Sequence, residues 1–346
     1  MDETIRKVHI GYAYNRDMIV MMLPLYLMAF FYYGPRCLLL ALVALLTARI
    51  CDRISALLRS RPYDKTEYSS VTFALILVLM LPASVPYRVV VAAVIMAVLV
   101  AKEAFGGFES YPFHPAAVGF CMAAVSWPEH VLRYPSPQVW LVNSTTDFSQ
   151  LLAGWRFTGA ELVEGPSYAL KAGGLPSIDL WNLFLGNYGG PVGVTSTAVL
   201  LACGIFLLVR GRINLVTPLC FLGTAALFAL VFPRYVVEIV EFADLLSRLE
   251  VVGYELLSGA MIFAAIFLVC EPGTQPKSTP ARVVYGILLG VSTMLFRYFG
   301  IYELGACFAI LVINAFMGFF ERALPGGPKE AKTEEAKADK KEAVQP

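Results

Sequence analysis

The run FGGFESYPFHPAAVGF, residues 105–120, sets Glu109 and His114 among three glycines and two prolines inside an otherwise apolar chain. A helix that only crosses lipid has no use for such residues, because Gly and Pro weaken helices and every ionisable group must be desolvated. The segment is therefore read as lining something. Gly106 and Gly107 permit close backbone approach, and His114 can satisfy carbonyls freed where a helix breaks. Glu103, Glu109, Arg297 and Glu303 flank two Phe-Gly turns, Phe105-Gly106 and Phe299-Gly300. Ionisable groups at such depths are buried in protein or face water. Interface anchoring at span ends is the competing account of Glu103 and Arg297. A third candidate is Gly186-Asn187-Tyr188-Gly189-Gly190. Its backbone N–H groups around Asn187, Gly189 and Gly190 could approach an anionic or carbonyl group, or the run could be no more than a tight turn into the next helix.

The elements that must position these residues follow from composition. Of 346 residues, 58% are hydrophobic and 15% charged, which leaves more apolar surface than one soluble core can hide. An all-α integral membrane protein is expected. The seven cysteines stand singly in or beside apolar runs, so no disulfide scaffold, cluster or metal site is expected. The formal net charge of +1 points to no particular partner, and the bilayer rather than nucleic acid is the expected surroundings. Residues 1–17, MDETIRKVHIGYAYNRD, are too polar for a signal peptide, so the first apolar run should remain as a helix.

At roughly 20 residues per crossing, fewer where Gly or Pro breaks a span, ten segments can be counted. They are Met18–Tyr33, Pro35–Ile54, Ser69–Leu81, Tyr87–Glu103, Pro115–Ser126, Pro191–Val209, Leu215–Phe232, Glu255–Cys270, Ala281–Phe296 and Ile301–Phe320. Residues 127–190 form the one long loop, and residues 323–346 a charged tail expected to be disordered. Of the 27 Lys and Arg, this count puts 19 on the side of both termini and 8 opposite, which assigns the termini to the cytoplasm and the long loop to the outside.

A repeat appears at an offset of 194 residues. Arg88-Val89-Val90 recurs as Arg282-Val283-Val284, and Phe105-Gly106-x-Phe108-Glu109 as Phe299-Gly300-x-Tyr302-Glu303. A repeat unit of five spans, residues 18–126 and 191–322, forces the second copy to be inverted in the membrane, with the functional site expected between the halves.

The stretches FGGFESYPFHPAAVGF, LWNLFLGNYGGPVGVTSTAVLL (180–201) and ELLSGAMIFAAIFLVCEPGTQPKSTPARVVYGILLGVSTMLFRYFGIYELGACFAILVINAFMGFFER (255–322) carry a resemblance. They are similar to the D subunit of Rnf-type ion-translocating electron transport complexes and to the B subunit of the sodium-translocating NADH:quinone reductase. The resemblance implies a ten-helix flavoprotein subunit of a redox-driven pump in the cytoplasmic membrane, working with the other membrane and peripheral subunits and not catalytic alone. It implies FMN, and leaves room for a second, non-covalent flavin.

The family's chemical signature is [ST]-G-A-T in the external loop, whose last Thr is esterified through the FMN phosphate. Aligned on Thr158-Gly159-Ala160-Glu161, this chain sets a carboxylate, Glu161, where the hydroxyl is needed. Aligned on ALKAGG (169–174), it brings Ser167 near the acceptor position. Loss of the usual acceptor is the favoured reading, and Ser167 after Pro166 is otherwise an ordinary turn residue. His114 stands where the family has Asn and could hydrogen-bond a flavin ring, while Val194 replaces a residue that is often acidic.

Two function classes remain. In the first, the chain holds flavin and passes electrons between ferredoxin- or NAD-linked partner subunits; it has no nucleotide-binding G-x-G-x-x-G on a strand and no iron–sulfur ligation of its own. The alternative is an inverted-repeat transporter or channel subunit without flavin. The two Phe-Gly turns are expected to frame one cavity.

Overall fold

The computed structural model describes residues 3–60, 67–108, 110–137, 162–234, 243–300 and 303–323. The first part of the chain builds α1 (Glu3–Tyr33), α2 (Arg36–Leu58), α3 (Ser69–Met80), α4 (Tyr87–Ile95) and α5 (Pro115–Ser126). Helix α4 continues through π turns over Met96–Lys102 and a 3₁₀ turn at Glu103–Phe105. Then come α6 (Pro128–Val131), β1 (Tyr134–Pro135), β2 (Leu162–Val163), α7 (Pro166–Lys171) and α8 (Leu180–Leu185). The last part holds α9 (Thr197–Val209), α10 (Val216–Val231), α11 (Ala243–Leu257), α12 (Met261–Phe263) with π turns to Leu268, α13 (Thr279–Phe299) and α14 (Gly305–Ala323). The only described strands, β1 and β2, pair antiparallel with Tyr134 opposite Val163.

Two described helical stretches are long and apolar enough to cross a bilayer unaided, Gly11–Tyr33 and Thr279–Phe299. A third results if Ser247–Leu257 and Met261–Leu268, bent by 59° against each other, act as one span. Five shorter apolar helices accompany them, α3, α5, α9, α10 and the Gly305–Phe319 part of α14.

Helix α3 lies at the centre. Every one of its residues from Ser69 to Met80 is buried, which suits a helix apolar on all sides. It packs on α1, α2, α4 and α5. Its last carbonyls are taken up from outside the helix: the Val192 N–H donates to Leu81 (3.0 Å) and the Gly193 N–H to Leu79 (2.9 Å). The segment 190–196 therefore enters the core as irregular chain, permissible there because another element satisfies its backbone.

The two parts pack alike. Helix α2 lies against α4 as α10 lies against α13, and α4 against α5 as α13 against α14. The α4 helix with its turns ends at Phe105 and α13 ends at Phe299, the two residues paired by the sequence offset. Small residues bring the backbones together. A Cβ on Gly290 of α13 would come 2.8 Å from the Phe221 carbonyl of α10, and one on Gly286 would come 2.8 Å from that of Thr217. This is the small-xxx-small contact by which helices associate where apolar burial offers no preference.

That contact predicts a pair of opposite outcomes. Gly290→Ala should lower thermal stability in detergent by about 1–3 kcal/mol, because backbone must shift. Gly223→Ala, on α10 with nothing within 4 Å of its Cβ, should be neutral or stabilise by about 0.5–1 kcal/mol. Equal melting curves for the two variants would refute the seam.

Candidate functional site

A buried guanidinium organises the most developed polar cluster. Arg297, in the last turn of α13, is 3% exposed. Its Nη1 donates to the Glu255 carbonyl (2.6 Å), and its Nη2 to the hydroxyls of Ser167 (2.7 Å) and Ser258 (2.9 Å). The same Nη2 lies 2.8 Å from the Glu255 carboxylate. Glu255 also receives Arg234, with Nε at 2.8 Å, and the Arg234 guanidinium sits 4.3 Å from the centre of the Tyr298 ring. Arg234–Glu255–Arg297 is thus a buried triad carrying one positive charge beyond its carboxylate.

Local chain geometry makes room for it. Helix α11 ends at Leu257, and Gly259 and Ala260 take left-handed conformations with φ of 63° and 60°, turning the chain into α12. A Cβ on Gly259 would come 2.8 Å from the Arg297 guanidinium carbon. Pro166 opens α7 after the N-cap Gly165, at a position where its missing N–H costs nothing, and Ser167 follows in the first turn. Gly165 has to lack a side chain because the Glu303 carboxylate fills that space.

Of these residues Gly165, Ser167, Arg297 and Glu303 line a cavity of about 570 Å³, together with Arg133, Tyr168 and Lys171 and with Glu129 and Glu164. The Lys171 ammonium is bonded to the Gly300 carbonyl, which ties α7 to the turn after α13. Tyr134 of β1 is fully buried and directs its hydroxyl at Glu303, without closing a well-formed hydrogen bond. Burial first, then the Glu303 carboxylate, push the Tyr134 phenol well above its ordinary value, so it stays a neutral donor. Arg297 Nε is likewise buried without a hydrogen-bond partner. The cavity therefore offers a serine hydroxyl and the Tyr168 ring, with three cationic side chains set against the three carboxylates Glu129, Glu164 and Glu303.

Of the residues singled out from the sequence, Ser167, Arg297 and Glu303 come together here. Gly106 and Gly107 do not line this cavity, so the two Phe-Gly turns do not share it as expected; only Gly300 is on its wall. The reason is that Gly106 and Gly107, with φ of 127° and 98°, close the turn that ends α4 beside a separate ion cluster. There Lys102, 1% exposed, meets Glu67 (2.5 Å), Glu103 (3.1 Å) and Ser70 (2.7 Å).

His114 is wholly buried and caps α5, its Nδ1 accepting from the Ala117 N–H (3.4 Å), while its other nitrogen faces the Phe267 carbonyl in the π turns after α12. It serves broken helix ends and lies off the cavity. Gly189 packs against the Val163 side chain of β2, Gly190 fits between Tyr188 and Thr195, and Asn187 is exposed beyond α8. The bland account, a tight turn, fits these three. Thr158, Gly159, Glu161 and Glu109 lie outside the described residues. Glu255, Ser258 and Arg234 escaped the sequence reading; the available signal was the ionisable Glu255 heading an apolar run in ELLSGA.

Comparison with known proteins places this geometry in context. Residues 7–326 match the NQR2, RnfD, RnfE family. The D subunit of the ion-translocating oxidoreductase complex of Actinobacillus succinogenes is 30% identical over 319 residues, covering 85% of this chain and 86% of that protein. The D subunit of the Na(+)-translocating ferredoxin:NAD(+) oxidoreductase complex of Acetobacterium woodii is 25% identical over 320 residues, covering 92% and 90%. The D subunit of the proton-translocating ferredoxin:NAD(+) oxidoreductase complex of Clostridium ljungdahlii is 25% identical over 285 residues, covering 82% and 81%.

The triad makes its own prediction. Glu255→Ala leaves two arginines buried without their carboxylate and should cost about 3–5 kcal/mol of stability, read as a lower melting temperature in detergent. Ser258→Ala removes one of several Arg297 partners and should cost about 1 kcal/mol. A Glu255→Ala protein that melts like the wild type would remove the triad from its central place.

Proposed function

We propose, from the premise that the chain belongs to the NQR2, RnfD, RnfE family, that it is the electron-passing flavin subunit of an Rnf-like redox-driven ion pump. The observation that carries this reading is the Arg297 guanidinium, fixed by Glu255 and presented with the Ser167 hydroxyl to the 570 Å³ cavity. Arg297, Lys171 and Arg133 would hold the phosphate of an FMN-type cofactor, with Ser167 at the phosphate and Tyr168 available to the ring. When bound, such a cofactor supplies one- and two-electron chemistry. The chain's own part is to neutralise the phosphate and fix its orientation.

The partners in this reading are the other subunits of the complex, as the names of the relatives suggest for their own assemblies. The setting is the cytoplasmic membrane, with ten spans in two inverted five-helix repeats, both termini cytoplasmic and the cavity outside. The parallel packing of α2 on α4 and of α10 on α13 supports the repeat. A second reading, a transport subunit without flavin, draws on Glu271. This buried carboxylate accepts hydrogen bonds from Tyr111 (2.6 Å) and Tyr14 (3.2 Å).

Flavin content separates the two readings. In the purified complex the subunit is expected to carry flavin, with no flavin on any threonine of Ala153–Gly174. Arg297→Gln and Ser167→Ala should lose flavin while the complex still assembles, checked by fluorescence of the denatured band, peptide mass and flavin per subunit. A flavin-bearing threonine in that segment, or full flavin content in Arg297→Gln, would sink the site assignment; no flavin in the wild type would favour the transport reading.

Topology is tested separately. A reporter fused after Arg322 should read cytoplasmic, and a labelling tag within Gln138–Gly159 should react only from outside. Both on one side would overturn the ten-span arrangement.

A further inference from the structure

Helix α8 combines features that the cavity does not use. Its inner residues are fixed: Leu183 is fully buried with Leu170 of α7, Tyr188, Val251 and Tyr254, and Leu180 packs on the same group. Its outer residues are not covered. Trp181 is 68% exposed and Leu185 40%, and the Trp181 ring stacks on Phe184 at 5.7 Å. Polar groups bracket this apolar tip, since Asp179 and Asn187 are both exposed.

The tip continues an apolar outer surface. On α1 the exposed residues Leu23 and Leu27, one turn apart, lead through the half-buried Phe31 to Tyr32, whose hydroxyl donates to the Leu185 carbonyl (3.3 Å). Helix α8 also lies against α9 and α11, where Ile205 and Leu249 are exposed. In a chain of this composition those outward residues are the ones that meet lipid. A tryptophan with an apolar body, an indole N–H and flanking polar residues at the end of such a surface matches the headgroup level of a bilayer.

We propose that α8 is a membrane-interface foot: Trp181, Phe184 and Leu185 seat in the boundary between lipid headgroups and acyl chains and hold the cavity at that height. The link to the cavity is short. Leu170, which packs against Leu183 of α8, lies on α7 three residues after Ser167. The occupant is lipid rather than a partner subunit because the tip continues the lipid-facing stripe of α1. Amphipathic segments of this kind sit about 5–10 Å into the boundary region.

The test uses the intact complex in phospholipid vesicles and the emission difference between wild type and Trp181→Phe, a conservative change that preserves the ring stack. With lipids brominated near the carbonyl end of the acyl chain, the Trp181 emission should be strongly quenched; with lipids brominated near the methyl end it should be weakly quenched. Aqueous iodide should quench it little. Strong iodide quenching without lipid quenching means that the tip stands in water and overturns the proposal. Protection from both quenchers means that a partner subunit covers it and overturns the proposal equally. If the difference signal is too small, a spin label on Trp181→Cys, read for access to oxygen and to a water-soluble nickel chelate, gives the same three outcomes.

Discussion

A guanidinium that is 3% exposed among apolar helices is tolerable only where the chain itself neutralises and hydrogen-bonds it, and much of the outer architecture follows from meeting that condition for Arg297. Helix α11 must bring Glu255 alongside α13, then break at once so that Ser258 faces the same guanidinium and Gly259 leaves space for it. The loop must return α7 to the membrane end of α13 so that Ser167 completes the donor's surroundings. Arg234 balances the carboxylate from the other side and rests on Tyr298. The cavity wall is what remains once these partners are in place, which is why its polar groups converge.

The same requirement governs the irregular backbone elsewhere. Where helices stop inside the apolar packing, side chains and re-entrant chain take up the freed groups. Arg36 donates to the carbonyls of Ala83 (2.6 Å) and Val85 (3.0 Å) in the turn between α3 and α4. Tyr33 donates to those of Tyr188 and Gly190. His114 caps one helix and faces the π turns of another. Lys102 ends its own π segment by meeting the carboxylates of Glu103 beside it and of Glu67 just before α3. Of these devices, the His114 side chain facing the Phe267 carbonyl ties the first part of the chain to the last.

The arrangement separates a packed interior from a polar cavity. A closely packed interior surrounds α3, and the polar cavity lies apart from it among α6, α7 and the end of α13. The cavity is held by short elements, α6, α7 and β1, which have little core of their own and borrow position from α11, α13 and the apolar cluster under α8. Such borrowing fixes a cavity on loop-like elements as firmly as the helices that carry it.

Composition and hydrophobic runs determined that this chain is helical and membrane-embedded, because no packing of so apolar a sequence leaves a wettable surface. The apolar segments fell on helices with little error at Ser69–Met80 and Pro115–Ser126, where Pro or polar residues end the run abruptly. The motifs fixed the family, and the offset-194 pairing marked where α4 and α13 both stop. The sequence also pointed to Arg297, Glu303 and Ser167 one at a time, since a charge or hydroxyl in such surroundings demands a partner. It could not say that they meet, nor that Gly106, Gly107 and His114 belong elsewhere. Glu255 and Ser258 reach Arg297 only because the chain turns at Gly259, some forty residues earlier in sequence. Which buried charge faces which is decided by tertiary packing, because electrostatic partners are chosen by distance in space and the spacing of residues along the chain carries no record of it.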